Sequence, residues 1–227
     1  MAEKVVLSWS GGKDSARALY EMRRSQEYEV VALLTSFNGE YDRVTMHGVR
    51  RLLVEQQAEA LSLPMESVVL PRVASNEEYE SRTQAALARL QEVGVSAVAF
   101  GDIFLEDLRK YREDNLARIG MKAVFPIWGR DTRELTQSFV SLGFQSIVTC
   151  VDSRVLSKTF AGRVIDTSFL AELPPGVDPC GENGEYHSFV FAGPIFKQRI
   201  PVIVGEVVCR DSFYFCDLLP ENSTEGK

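Results

Sequence analysis

The run Ser10-Gly11-Gly12-Lys13-Asp14-Ser15 follows a short apolar stretch, Lys4–Ser8, and leads into Ser15–Arg24, which places Ala16, Leu19 and Tyr20 on one helical face. A strand that turns through two glycines straight into a helix commits the start of the chain to a βα unit. The same turn collects what a phosphate chain needs. Glycines let backbone N–H groups converge, Ser10 and Ser15 supply hydroxyls, Lys13 supplies a cation, and the helix presents its positive end. A Walker A loop is excluded, because Leu7 stands where its first glycine belongs and Asp14 where its Ser or Thr belongs. Asp14 in that place suits Mg²⁺, which prefers carboxylate and phosphate oxygens.

Apolar runs and amphipathic segments then alternate, the grammar of a parallel sheet covered by helices. Strands are expected at Lys4–Ser8, Glu29–Ser36, Met65–Leu70, Ala97–Gly101 and Ala123–Pro126, with helices at Ser15–Arg24, Val49–Leu61, Asn76–Val93 and Glu106–Ile119. Leu52, Leu53 and Ala60 should share the buried face of the second helix, and Asn76 should cap the third. After Trp128 the pattern changes to a helix at Thr132–Leu142 and a strand at Gln145–Val151. The strands that follow, Tyr186–Phe191, Pro201–Cys209 and Phe213–Leu218, are too closely spaced for helical crossovers and read as antiparallel. The expected fold is α/β: a five-stranded parallel doubly wound sheet over residues 1–128, a smaller mixed α+β domain over 129–220, and a disordered polar tail at 221–227.

With 45% hydrophobic residues the chain can build a core, and its net charge of −7 argues against a broad nucleic-acid footprint. No run approaches the roughly 20 apolar residues of a membrane span, and no signal peptide opens the sequence, which points to the cytoplasm. Cys150, Cys180, Cys209 and Cys216 are too far apart for a zinc or redox pair, so reduced, mostly buried thiols are expected.

A second dense segment is Asp178-Pro179-Cys180-Gly181-Glu182-Asn183-Gly184-Glu185-Tyr186-His187-Ser188-Phe189-Val190, which carries one of the chain's 2 histidines. Glycines and acids crowded before a strand favour a site over simple folding. Glu182, Glu185 and His187 are candidate site residues of types that can move protons, with Glu185 and His187 at alternate positions of a strand, where they either serve a site or simply share a solvent face. His47, at a loop-to-helix junction, either borders the same cleft or caps a helix. Arg109 and Arg112, on one helix, could meet a phosphate or an acidic substrate, but a solvated face with pairing to Glu106 and Glu113 is the expectation.

The first run resembles the Ser-Gly-Gly-x-Asp-Ser signature of the N-type ATP pyrophosphatases (PP-loop, adenine nucleotide alpha hydrolase-like). The second is similar to a Gly-Glu-x-Gly-Glu-aromatic-His motif of diphthine-ammonia ligases and their bacterial relatives. Phe100-Gly101-Asp102-Ile103, Tyr111-Arg112, Phe125-Pro126-Ile127-Trp128 and Gly143-Phe144 extend the resemblance over nearly the whole chain. It implies an ATP-dependent amide-forming ligase that adenylates a carboxylate and displaces AMP with ammonia, releasing pyrophosphate.

Carried onto this chain, Ser10, Gly11, Gly12, Lys13, Asp14 and Ser15 would hold the phosphates of ATP, with Asp14 on Mg²⁺. Gly101 and Asp102 would line the nucleotide crevice, where Asp102 alternatively serves as a turn or capping residue. Glu182, Glu185 and His187 would serve the second substrate. The acceptor implied is diphthine on elongation factor 2 in an archaeal or eukaryotic setting and another carboxylate in a bacterial one; ammonium is the simpler donor, since no glutaminase segment is evident. A homodimer stays open. Two other readings remain at this point: an ATP or AMP sensor without turnover, and a tRNA sulfur-transfer enzyme using Cys180.

Overall fold

The computed structural model describes residues 2–221, so the expected tail lies outside the described residues except for Glu221. The chain runs β1 (Glu3–Ser8), α1 (Lys13–Ser25), β2 (Tyr28–Asn38), β3 (Arg43–Val44), α2 (Arg51–Leu61), β4 (Met65–Leu70), α3 (Asn76–Glu92), β5 (Ala97–Ala99), α4 (Glu106–Ala117) and β6 (Lys122–Val124). There follow α5 (Thr132–Ser141), β7 (Gln145–Asp152), α6 (Thr167–Glu172), β8 (Tyr186–Ala192), β9 (Val202–Arg210) and β10 (Phe213–Pro220).

The five expected strands pair in parallel in the order β4-β2-β1-β5-β6. The two-residue β3 joins antiparallel at the far end of β2, making a six-stranded sheet. Side chains alternate across it. Val5, Leu7, Leu33, Phe37 and Ala97 pack with α1 and α2, while Val6, Ala32, Leu34 and Val98 pack with α3 and α4. Helices on both faces make the sheet doubly wound, and its strand order reverses between β1 and β5. The crevice of such a fold opens there, beyond the carboxyl ends of these two strands.

The second sheet is antiparallel, β8-β7-β10-β9. Its inner residues Ile147, Phe189, Phe191, Cys216 and Leu218 join the same apolar cluster as α1 and α2, so one core runs through both sheets. On its other face Val148, Val151, Phe169 and Tyr186 close a smaller cluster over α6.

Some local expectations are corrected. Ser75, not Asn76, caps α3, its hydroxyl accepting from the Glu78 N–H at 3.2 Å. Leu52 is exposed, and α2 buries Leu53, Val54, Gln57, Ala58, Ala60 and Leu61 instead. Among the described residues no helix is long and apolar enough to cross a membrane.

Candidate active site

The first glycine-rich turn ends β1 and starts α1 directly after Gly12. Gly11 has φ +79°, and a Cβ there would meet Gln57 Oε1 at 2.8 Å, so the position demands glycine twice over. Gln57, fully buried on α2, braces the turn: its amide N–H groups donate to the carbonyls of Gly11 (3.0 Å) and Val190 (2.6 Å), and its oxygen accepts from the Trp9 indole at 2.9 Å. Within the turn, Ser10 Oγ accepts from the Gly12 N–H at 3.2 Å and the Ser15 hydroxyl donates to the Gly12 carbonyl at 3.0 Å. Gly101, just past β5, abuts α1, for a Cβ on it would stand 2.7 Å from the carbonyl carbon of Asp14.

The distal motif closes on this turn from the other side. The Lys13 N–H donates to Ser188 Oγ at 3.3 Å, and the Val190 N–H donates to the Gly11 carbonyl at 2.9 Å. Two segments from opposite ends of the sequence thus form one hydrogen-bonded structure. Lys13 is only 4% exposed; its Nζ lies 2.8 Å from Asp14 Oδ2 and 5.0 Å from the centre of the Tyr186 ring. Burial, the largest single influence, opposes the ammonium, but the adjacent Asp14 carboxylate together with Tyr186 and Cys180 outweighs it and holds the Lys13 pKa above its ordinary value.

A cavity of about 530 Å³ opens over this junction, within the size range of small-molecule sites. Ser10, Gly12, Lys13, Asp14, Ser15, Gly101, Asp102, Glu182 and His187 line it; Gly11 and Glu185 do not.

Glu182 accepts a hydrogen bond from the Ile103 N–H at 2.7 Å, and burial, reinforced by Asp14 and Asp102, pushes its carboxyl up to about 7. A carboxyl poised there is suited to exchange protons near neutrality. Glu185 takes another part from the one its spacing suggested. Its carboxylate accepts from the N–H groups of Asp178 and Asn183 and from the Asn183 side chain, each at 3.0 Å. It braces the motif from within, because β8 begins only at Tyr186 and strand alternation does not extend back to residue 185.

His187 does face the cavity, and there it meets His47. The ring centres are 4.5 Å apart with planes inclined at 39°. Burial and the Lys13 charge push His187 down to about 4, while burial, His187 and Lys13 together hold His47 well below the ordinary range, against a hydrogen bond to the Ser188 backbone. Both imidazoles are neutral at pH 7.

Asp102 neither caps α4, whose N-cap is Leu105, nor stands free. Arg112 pairs with it at 2.5 Å while lying over the Phe100 ring, so of the two arginines expected to pair along this helix only Arg109 does, with Glu113 at 2.8 Å. Cys180 is buried and its Sγ lies 3.3 Å from the Thr132 carbonyl and 3.1 Å from Thr136 Oγ1. Burial pushes its thiol up to about 12, leaving no thiolate for nucleophilic chemistry. Among the described residues no group of three or more His, Cys, Asp or Glu is arranged to hold a metal ion.

The sequence model of the diphthamide synthase N-terminal domain matches residues 3–123, and that of the diphthamide synthase C-terminal domain matches 131–219. The chain belongs to the diphthamide synthase family. Within the family it is similar to the diphthine–ammonia ligase of Danio rerio, 29% identical over 90% of this chain and 88% of that one. The Bos taurus diphthine–ammonia ligase is 28% identical over 93% of this chain and 87% of its own. That of Schizosaccharomyces pombe is also 28% identical, over 95% of this chain but only 38% of its own, longer sequence.

Proposed function

We propose that this protein is an ATP-dependent amide-forming ligase: a carboxylate attacks the α-phosphate of ATP, pyrophosphate leaves, and ammonia then displaces AMP from the acyl adenylate. The observation that carries the reading is the direct bonding of the phosphate turn to the distal motif through Lys13–Ser188 and Val190–Gly11. ATP activation and the chemistry that consumes it would share one cavity. The family membership and the names of the three relatives support the same reaction.

In this scheme Ser10, Gly11, Gly12 and Ser15 shape the seat for the phosphates, with Lys13 and the start of α1 supplying positive potential. Glu182 is the proton acceptor for the amine, and neutral His187 offers a hydrogen-bond partner beside it. Glu185 is withdrawn from that group and assigned to holding the loop. Mg²⁺ needs only one or two protein carboxylates when phosphates and water complete its shell. Asp14 lines the cavity, and Lys13 engages its Oδ2, so the residues fit a magnesium–ATP complex in which the ion neutralises phosphate charge.

As acceptor we propose diphthine on elongation factor 2 where the host makes it, and another carboxylate in a bacterial host. Incubation with ATP, MgCl₂, ammonium chloride and diphthine-bearing elongation factor 2, alongside a panel of small carboxylic acids, should yield AMP and pyrophosphate in step with amide. ATP binding without either product across that panel would favour a sensor, and ADP with phosphate would overturn α-phosphate attack. The sulfur-transfer reading rests on Cys180, whose thiol burial pushes up to about 12, against the reactive thiolate that reading needs.

A further inference from the structure

His47 reaches the cavity from an unusual piece of backbone. Between β3 and α2 the chain reverses within a few residues, with Met46 at φ +66° and Gly48 at φ +69°, and Asp42 at φ +49° just before. A non-glycine residue in the left-handed region costs free energy and persists only when its surroundings hold it there. Backbone bonds close the turn on itself, with Gly48 N–H on the Val44 carbonyl at 3.1 Å, and on β2, with Thr45 N–H on the Ser36 carbonyl at 3.1 Å, and the second sheet holds it from the other side. Asp217, on β10, accepts from Arg43 Nη1 at 2.9 Å and from Arg50 Nε and Nη2 at 3.1 and 2.7 Å. The same Arg43 Nη1 donates to the Gly48 carbonyl at 2.7 Å, and the Phe215 ring fills the space beside Gly48, 3.0 Å from where its Cβ would stand. One carboxylate therefore ties both ends of the turn, and the turn ends on the phosphate loop: His47 Cε1 lies 3.2 Å from where a Cβ of Gly12 would stand.

The ring placed there is incompletely bonded. Its Nδ1 is buried with no hydrogen-bond partner among the described residues. Each nitrogen of a neutral imidazole is a donor or an acceptor. A buried ring nitrogen without a partner beside a phosphate seat is what a polar ligand atom would complete.

We propose that Asp217 is a positioning residue of the reaction site, acting through Arg43 and Arg50 to set His47 against His187 and the phosphate loop. This deepens the amide-ligase reading and rests on it for the consequence in turnover, but not for the placement itself. The second sheet thereby contributes to the site through its last strand as well as through the distal motif. The carboxylate is well suited to this: burial opposes its charge, yet the guanidinium groups of Arg50 and Arg43 hold it below its ordinary range.

The test uses the fact that the chain has 2 histidines. Imidazole correlation spectra of the full chain should show two ring systems with a mutual nuclear Overhauser contact and stacking-shifted resonances. Asp217→Asn should abolish that contact and move both sets, Asp217→Glu should largely restore them, and His47→Gln assigns the remaining set to His187. Thermal melts of each variant establish that it is folded. In turnover, Asp217→Asn should lower kcat for AMP formation by about tenfold to a hundredfold with ATP KM within about twofold, the scale expected of a displaced active-site group. Unchanged imidazole shifts and an intact contact in folded Asp217→Asn would overturn the proposal whatever the activity. Failure of the amide-ligase reading would show instead as absence of AMP in the parent protein with the spectral effect intact.

Discussion

At residue 182 the folded state pays for ionisation. Glu182 has a carboxyl raised from the ordinary 4.5 to about 7, chiefly by burial. Between those values the folded protein keeps a proton that the unfolded chain has released, so stability should fall as pH rises through that window and level off above it. Allowing for the part of the side chain that solvent still screens, the loss should be about 1–2 kcal/mol by pH 8. Glu182→Gln should flatten the dependence, seen in denaturant midpoints across pH 5–8. As the proposed proton acceptor Glu182 works ionised, so kcat in the parent should climb through about pH 7 and that limb should vanish in Glu182→Gln. Glu185 is expected to behave differently. Removing its three accepted hydrogen bonds in Glu185→Ala leaves buried donors unpaired and should cost about 2–3 kcal/mol. ATP affinity and turnover should then drop together, whereas selective loss of turnover with a native melting curve would restore Glu185 to the chemistry.

Among the elements, the approach of β5 to α1 is the tightest joint of the site. A Cβ on Gly101 would stand 2.7 and 2.8 Å from the backbone of Asp14 and Ser15, which cannot swing aside as a side chain could. Gly101→Ala should therefore cost about 1–3 kcal/mol and displace the first turn of α1. Calorimetric titration with ATP should show weakened binding even where a chemical melt still reports a folded protein. This joint also marks how far the sequence could be read. The turn at Ser10–Ser15 was legible because its whole signal is local: a strand, two glycines, a helix. The parallel strands were legible from their apolar runs, and the distal loop from its unusual composition. Gln57 was not, because it sits among Glu55 and Gln56 on an amphipathic helix and only the fold shows that it alone is turned inward. The meeting of His47 with His187 depends on β8 and the β3 turn arriving at one place, and nothing in either local sequence records the other. Arg112 departs from expectation for a related reason: a helical reading looks for partners on the same helix, whereas its partner, Asp102, comes from the preceding loop.

For the molecule as a whole, we propose the division into residues 1–128 and 129–220 as one of chain organisation, and its energetics follow from the shared core. Phe189, Phe191, Cys216 and Leu218 pack into the same cluster as Leu19, Met22, Leu53 and Val54, so cutting the chain near residue 129 exposes one side of α1 and α2. Polar losses come with it. Arg23 would lose its bond to the Ile195 carbonyl, Gln57 its bond to Val190, and Gly11 the N–H that meets its carbonyl. Each fully buried large side chain contributes roughly 1.5–3 kcal/mol, so uncovering several consumes the 5–15 kcal/mol that a domain of this size retains. A fragment of residues 1–130 should accordingly fail to melt cooperatively and should bind a hydrophobic dye. Adding residues 131–227 in trans should restore a cooperative transition and ATP binding together, since the phosphate turn is completed by β8. An independently folded 1–130 fragment with native ATP affinity would show instead that the turn holds its shape without Ser188 and Val190, and the coupling of nucleotide site to distal motif would then have to act on the acceptor alone.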